Sequence, residues 1–343
     1  MKNKLRIFSI SLAVFFLLLF IIEPKTAADG MVEGIDVCLN VIIPSLFPFF
    51  VVTAYLNSNL SGYSIPGIRF ISKALHLPNG CQMILPLTLM GGYPIGAKLI
   101  TDMYKSKAID KRTAHILMGY CNNAGPAFII GIAGASFSSP IVAVILWILH
   151  IISAILTGLL LPKPCSQKAD IPIKLTSMSQ ILKNSITSIT SVCSWILVFK
   201  ILLSYLNHWF HGIIHQPIGI IHTGLLELSN GCIAIAQLPT PTHQFILFSV
   251  FFGFGGLCVL LQTLSVTDSM GIGLYVYGKV IQTCISLILS IIVSKLLFKN
   301  FPFQVPRICV MVCFSIMIIG LMRHRIKKLW KSDPESCIMQ TEH

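Results

Sequence analysis

Charge is what this sequence has least of. Only 11% of its 343 residues are Asp, Glu, Lys or Arg, against about 25% in soluble domains. Hydrophobic residues make up 55% and the mean hydropathy is +0.82. So thin a polar coat excludes a water-soluble globule. Acidic residues are scarcer than basic ones, 12 against 25, for a net charge of +13. The excess does not indicate nucleic acid. The basic residues sit in short loops beside apolar runs, where they orient insertion and meet anionic lipid.

Chemical motifs are also missing. The eleven cysteines are scattered, most of them in apolar runs, and no CxxC pair exists. Cys309 and Cys313 stand one helical turn apart, which is not zinc spacing. There is no serine elbow, HExxH or paired-carboxylate motif. Gly91 to Lys98 lacks the Gly-Lys-Ser/Thr ending of a phosphate loop. His208, His211 and His215, followed by His222, read as an interfacial group rather than a metal site. The expectation is no enzyme, no catalytic residue, no metal and no cofactor. The expected partners are the lipid bilayer and a small-molecule substrate, with no nucleic acid and with homo-oligomerisation left open.

What is present is one long apolar run after another. Spanning helices, which need about 20 residues, are expected at 5–22, 34–56, 113–135, 141–161, 185–206, 244–266, 270–297 and 305–322. The first follows Lys2, Lys4 and Arg6 and resembles a signal peptide with Ala27-Ala28 as cleavage site. An uncleaved helix is favoured, because the rest of the chain is membranous too. Two further stretches are broken at their centres. Cys81 to Ile100 holds Gly91-Gly92-Tyr93-Pro94, and basic residues flank it on both sides: Arg69 and Lys73 before, Lys105, Lys107, Lys111 and Arg112 after. Ile213 to Leu238 is centred on Glu227-Leu228-Ser229-Asn230-Gly231, and neither flank carries Lys or Arg. Each reads as a re-entrant hairpin, one entering from each side.

The expected fold is therefore an all-α polytopic membrane protein with about eight transmembrane helices plus two re-entrant hairpins in an inverted repeat. Its parts are an N-terminal helix (1–30), a first repeat (31–162), a cytoplasmic loop (163–183), a second repeat (184–300), and a C-terminal helix with a basic tail (301–343). Both termini are expected inside the cell membrane. Lys163, Lys168, Lys174 and Lys183 agree with this, as do Arg323, Arg325, Lys327, Lys328 and Lys331 in the tail; Lys295, Lys299 and Arg307 fall outside, against the positive-inside rule. Inverted repeats with broken helices meeting at the midplane are a transporter architecture.

Polar and glycine-rich stretches at membrane depth mark the candidate site. A helix break frees backbone groups for a ligand, and Asn or Gln side chains both donate and accept. The candidate substrate-binding residues are Gly92, Tyr93, Lys98, Asn122, Asn123, Glu227, Ser229, Asn230 and Gln262. Glu227 stands out, because a carboxylate inside a spanning helix costs about 2.5–3.5 kcal/mol on insertion scales and needs a partner. Four readings stand: it pairs with Lys98 or Lys279, binds substrate, carries a coupling proton, or is an interfacial Glu at the hairpin mouth. Lys200 and Lys279 either snorkel to an interface or face the cavity and pair with an anion.

Several runs together resemble the YlbJ-type sporulation integral membrane proteins, which carry the nucleoside-recognition Gate domain. They are Ile43-Pro44-Ser45-Leu46-Phe47-Pro48-Phe49, Gly92 to Lys98, Asn122 to Pro126, Gly224 to Gly231, and Phe254-Gly255-Gly256-Leu257. The match covers roughly residues 30–297. The resemblance implies a likeness to concentrative nucleoside transporters and a sporulation role with dipicolinate as a candidate substrate. It implies, too, that Gly92 to Lys98, Asn122, Asn123, Glu227, Ser229, Asn230 and Gln262 lie at the site. The sequence departs from the family pattern at Cys258 and Leu260, where Ser and His are usual, and at Ala124, where Ser is usual. The rival expectation is a membrane protein that assists spore assembly without transporting anything.

Overall fold

The computed structural model describes residues 2–60, 66–78, 80–137, 139–164, 176–210, 216–267 and 270–298. Among these residues every regular element is a helix. The chain opens with α1 (Lys2–Ile22) and α2 (Pro24–Val37), which runs through a π turn at Cys38–Ile42 into α3 (Ile43–Leu60). The short α4 (Pro66–Ala74) leads to α5 (Ile84–Gly91) and α6 (Ile95–Lys105). Next come α7 (Lys111–Cys121), α8 (Pro126–Gly134) and α9 (Pro140–Leu160). The second half is α10 (Met178–Trp209), α11 (Gln216–Leu226), α12 (Leu228–Ala236), α13 (Pro241–Phe254), α14 (Gly256–Thr267) and α15 (Gly273–Leu297).

The boundaries follow from local chemistry. Proline opens α2, α8, α9 and α13, where its missing N–H is not needed. Asp110 caps α7 through the Thr113 amide, and Ser177 caps α10 through the Gln180 amide. Gly255 ends α13 at φ +87°, a left-handed conformation that costs glycine little.

The chain is a multi-pass membrane protein. Among the described residues, six helical stretches are long and apolar enough to cross a bilayer: Pro24–Leu56, Lys111–Gly134, Pro140–Leu160, Met178–Trp209, Pro241–Thr267 and Gly273–Leu297. Of the eight spans expected, 5–22 lies within α1 (Lys2–Ile22). The last, 305–322, lies outside the described residues, as do the basic tail, most of the 163–183 loop, and His211 and His215. The second span begins ten residues earlier than expected, at Pro24. There Gly30 and Gly34 let α2 lie directly on the backbone of α10, so Lys25, Asp29 and Glu33 join a helix rather than a loop.

Burial is inverted relative to a soluble bundle. On α9, Ile141, Val144, Ile148 and Ile152 face outward while Ala143, His150, Ser153 and Thr157 are buried. On α15, Ile288, Ile292 and Leu296 are exposed while Lys279, Gln282, Ser286, Ser290 and Ser294 are inside. With lipid outside, burying aliphatic surface yields no gain, so small and polar residues take the interfaces.

The two halves touch reciprocally. Between the halves, α6 meets α14 as α12 meets α8, and α15 meets α7 as α9 meets α13; within them, α3 meets α8 as α10 meets α14. The tightest crossing is between α7 and α15, where a Cβ on Gly278 would strike the Gly119 carbonyl oxygen. Gly278→Val should therefore lower the unfolding free energy of the detergent-solubilised protein by about 2 kcal/mol or more. Gly67→Ala, with open space around it, should leave it within about 0.5 kcal/mol. Thermal unfolding of the two variants side by side checks both.

Candidate functional site

Both broken stretches double back at the residues where their helices stop. In the first, Gly92 (φ +76°) to Pro94 separates α5 from α6. In the second, Glu227 alone separates α11 from α12, so Ser229 and Asn230 occupy the first turn of α12. The returning helices α11 and α12 are in backbone contact at Gly224 and Gly231. Two helices are interrupted opposite these tips, α7–α8 at Asn122 to Gly125 and α13–α14 at Gly255.

Tips and breaks interlock. A Cβ on Gly92 would come within 2.9 Å of the Gly125 nitrogen. Asn122 accepts the Ala97 amide at 3.2 Å and donates to Thr263 Oγ1 at 2.9 Å, tying the first tip to α14. Tyr93 donates its hydroxyl to the Phe252 carbonyl at 3.3 Å, beside the second break. Such bonds satisfy backbone that no longer has helical partners.

Where these four elements converge lies a small cavity. Gly92, Tyr93, Ala124 and Gly125 form one side; Glu227, Leu228 and Ser229 form another; Val259 and Gln262 come from α14. Ile42, Leu46, Phe128, Val192 and Ile196 complete an apolar wall. A mostly apolar pocket with a few convergent polar groups is the usual form of a small-molecule site. The wall residues carry no polar signal and read in sequence as ordinary membrane core. The nearest legible hint is the kink-prone Pro44 and Pro48 beside Ile42 and Leu46.

Of the expected site residues, Gly92, Tyr93, Glu227, Ser229 and Gln262 line the cavity. Asn122, Asn123 and Asn230 lie behind it, fully or nearly fully buried. Asn123 donates to the Tyr120 carbonyl at 2.6 Å. Asn230 leaves its side-chain nitrogen without a partner. Gln262 donates to Cys258 Sγ at 3.3 Å, so the cysteine that departs from the family pattern touches a lining residue.

The basic residues are elsewhere. Lys98 is half-buried on α6 and does not line the cavity. Lys200 pairs with Glu33 at 3.2 Å across α10 and α2. Lys279 is buried behind Tyr93, its nitrogen within hydrogen-bond distance of Tyr93, Asn123 and Gln282. Neither Lys98 nor Lys279, two of the partners open to it, pairs with Glu227. The carboxylate instead accepts the Ser229 and Asn230 amides at 3.0 and 2.7 Å as the N-cap of α12. Four amide N–H groups at a helix start need acceptors and carry partial positive charge, which suits a carboxylate placed there.

The chain is similar to the sporulation integral membrane protein YlbJ of Bacillus subtilis (strain 168). The two are 27% identical over 169 residues, 46% of this chain and 40% of the relative. The chain thus spans well under two thirds of the length of the relative it matches. No protein-family profile and no solved structure matches. The likeness makes the chain a distant relative of a sporulation membrane protein, in keeping with its apolar helices.

If Glu227 is first a cap, its truncation has a folding cost. Glu227→Ala should destabilise the solubilised protein by about 1–2 kcal/mol, and Glu227→Gln, which keeps one acceptor, by roughly half as much. Chemical or thermal unfolding of both variants against wild type measures it.

Proposed function

We propose that the protein is a secondary transporter or permease that carries a small solute through a site between two inverted repeats, in a sporulation setting. The observation that carries this reading is the meeting of two hairpin tips and two helix breaks at one cavity. The reciprocal contacts of α6, α8, α12 and α14 support the repeat. A site held between two such units is exposed to either side when one unit rocks against the other. The function involves no catalytic step, and the helix pairs α5–α6 and α11–α12 act as re-entrant hairpins.

A nucleoside-like solute suits the lining better than dipicolinate does. Among the described residues the cavity's one charged group is Glu227, which would repel a dianion. Tyr93, Ser229 and Gln262 offer hydrogen bonds to a neutral polar solute, and Phe128 offers an apolar face. The alternative is a role in spore assembly without transport; it draws on the relative's name, which mentions sporulation and not transport.

Uptake into proteoliposomes of a labelled nucleoside and of labelled dipicolinate separates these readings. Nucleoside uptake should exceed dipicolinate uptake. Val259→Phe, which fills the cavity, should cut the initial rate about tenfold or more, equivalent to about 1.4 kcal/mol. Uptake of neither solute by inserted, monodisperse protein would transfer the weight to the assembly role.

A further inference from the structure

Lys279 is the most unusual group in the interior. It is 2% exposed, inside a spanning helix, and among the described residues no carboxylate lies within ion-pair distance of it. Its nitrogen is 3.2 Å from Tyr93 Oη, 3.0 Å from Asn123 Oδ1 and 2.8 Å from Gln282 Oε1. It also stands 5.1 Å from the centre of the Tyr93 ring and 5.7 Å from that of Tyr275, within cation–π range. An intramembrane ionisable residue is expensive to keep and commonly functional.

The three partners are oriented to accept. Tyr93 spends its hydrogen on the Phe252 carbonyl. Asn123 spends its amide on the Tyr120 carbonyl. Gln282 directs its amide to Ser153 Oγ at 3.5 Å, and Ser153 donates onward to the His150 carbonyl. Three acceptors therefore face a group that has three hydrogens only as an ammonium. A neutral amine would bring two hydrogens and a lone pair, leaving one acceptor unmet in a low-dielectric interior.

The geometry adds a shared polar tie to parts that already pack on one another. Tyr93 is at the first hairpin tip, Asn123 is in the α7–α8 break, and Lys279 and Gln282 are on α15. The titratable groups facing the ammonium are Tyr93 from the tip, Cys121 from α7, His150 from α9 and Tyr275 from α15 itself. His150 is the second independent sign of a site. It is 2% exposed, close enough to feel the lysine's charge, and among the described residues neither ring nitrogen has a partner.

We infer that Lys279 is a proton-binding site whose protonated form clamps the first hairpin tip to the α7–α8 break and α15. The proton adds to or leaves the amine nitrogen, with no redox change. Loss of the proton releases the tip; gain restores it. The clamp does not depend on what the cavity carries. Combined with the transport reading, it makes the proton the coupling ion.

The test needs no solute, so its failure and that of the transport reading are separable. Hydrogen exchange of the protein in nanodiscs is followed by mass spectrometry between about pH 6.5 and about pH 9.5, each rate divided by its intrinsic value. Protection of segments 88–96 and 119–126 should fall about tenfold as pH rises, while α3 keeps its protection. Lys279→Met should abolish the pH step. Gln282→Met, which removes one acceptor from the ammonium, should move the step to lower pH, and it decides the matter if the Lys279→Met variant proves unfolded by gel filtration. Protection that stays flat with pH in the wild type overturns the clamp. So does a Lys279→Met variant that keeps the wild-type step, or a Gln282→Met variant whose step does not move.

Discussion

Backbone meeting backbone is the constraint on which the interior rests. Gly92 lies on Gly125, Gly224 on Gly231, and Gly119 on Gly278. Each contact brings two chains closer than any side chain allows. In lipid, that closeness matters twice. It supplies the dispersion contacts that hold helices together where no hydrophobic effect exists between them. It also lets broken helices cover one another, so that their freed N–H and C=O groups are shielded from hydrocarbon.

Once the breaks are held this way, the polar side chains have specific work. Asn122 bridges a hairpin amide and a threonine of the opposite half. Glu227 occupies a helix start whose amides would otherwise be bare. Lys279 gathers three acceptors from separate elements. None of these groups reaches water through the lipid-facing surface, which is lined by Ile, Leu and Val. The same architecture that buries them leaves a space among the tips, and the residues on that space are the least polar ones available apart from Tyr93, Glu227, Ser229 and Gln262.

The helices and their interruptions were legible because both are local properties. Twenty apolar residues can only be a span, and Gly-Gly-Tyr-Pro or Asn-Asn-Ala-Gly-Pro cannot continue a helix. The second break was placed correctly at Glu227, although it proved one residue wide rather than five, since Ser229 and Asn230 are held in the helix by the cap itself. The partner of Glu227 was left open by the sequence. Electrostatic reasoning on a sequence looks for an opposite charge, whereas two backbone amides within three residues were nearer. Lys200 found Glu33 because α2 extends farther than its hydropathy suggests, an effect of Gly30 and Gly34 fitting against α10.

Hydropathy and the φ preferences of Gly and Pro act within a few residues, so the solvent, the helical class and the bends are written locally in the sequence. Only the tertiary structure decided which bends face each other, which polar groups line the cavity, and that Lys279 is enclosed rather than snorkelling. Those outcomes depend on groups far apart in the chain, as Lys279 is from Tyr93 and Asn123. Such neighbours are chosen by packing and mutual hydrogen-bond satisfaction, and no local pattern encodes them.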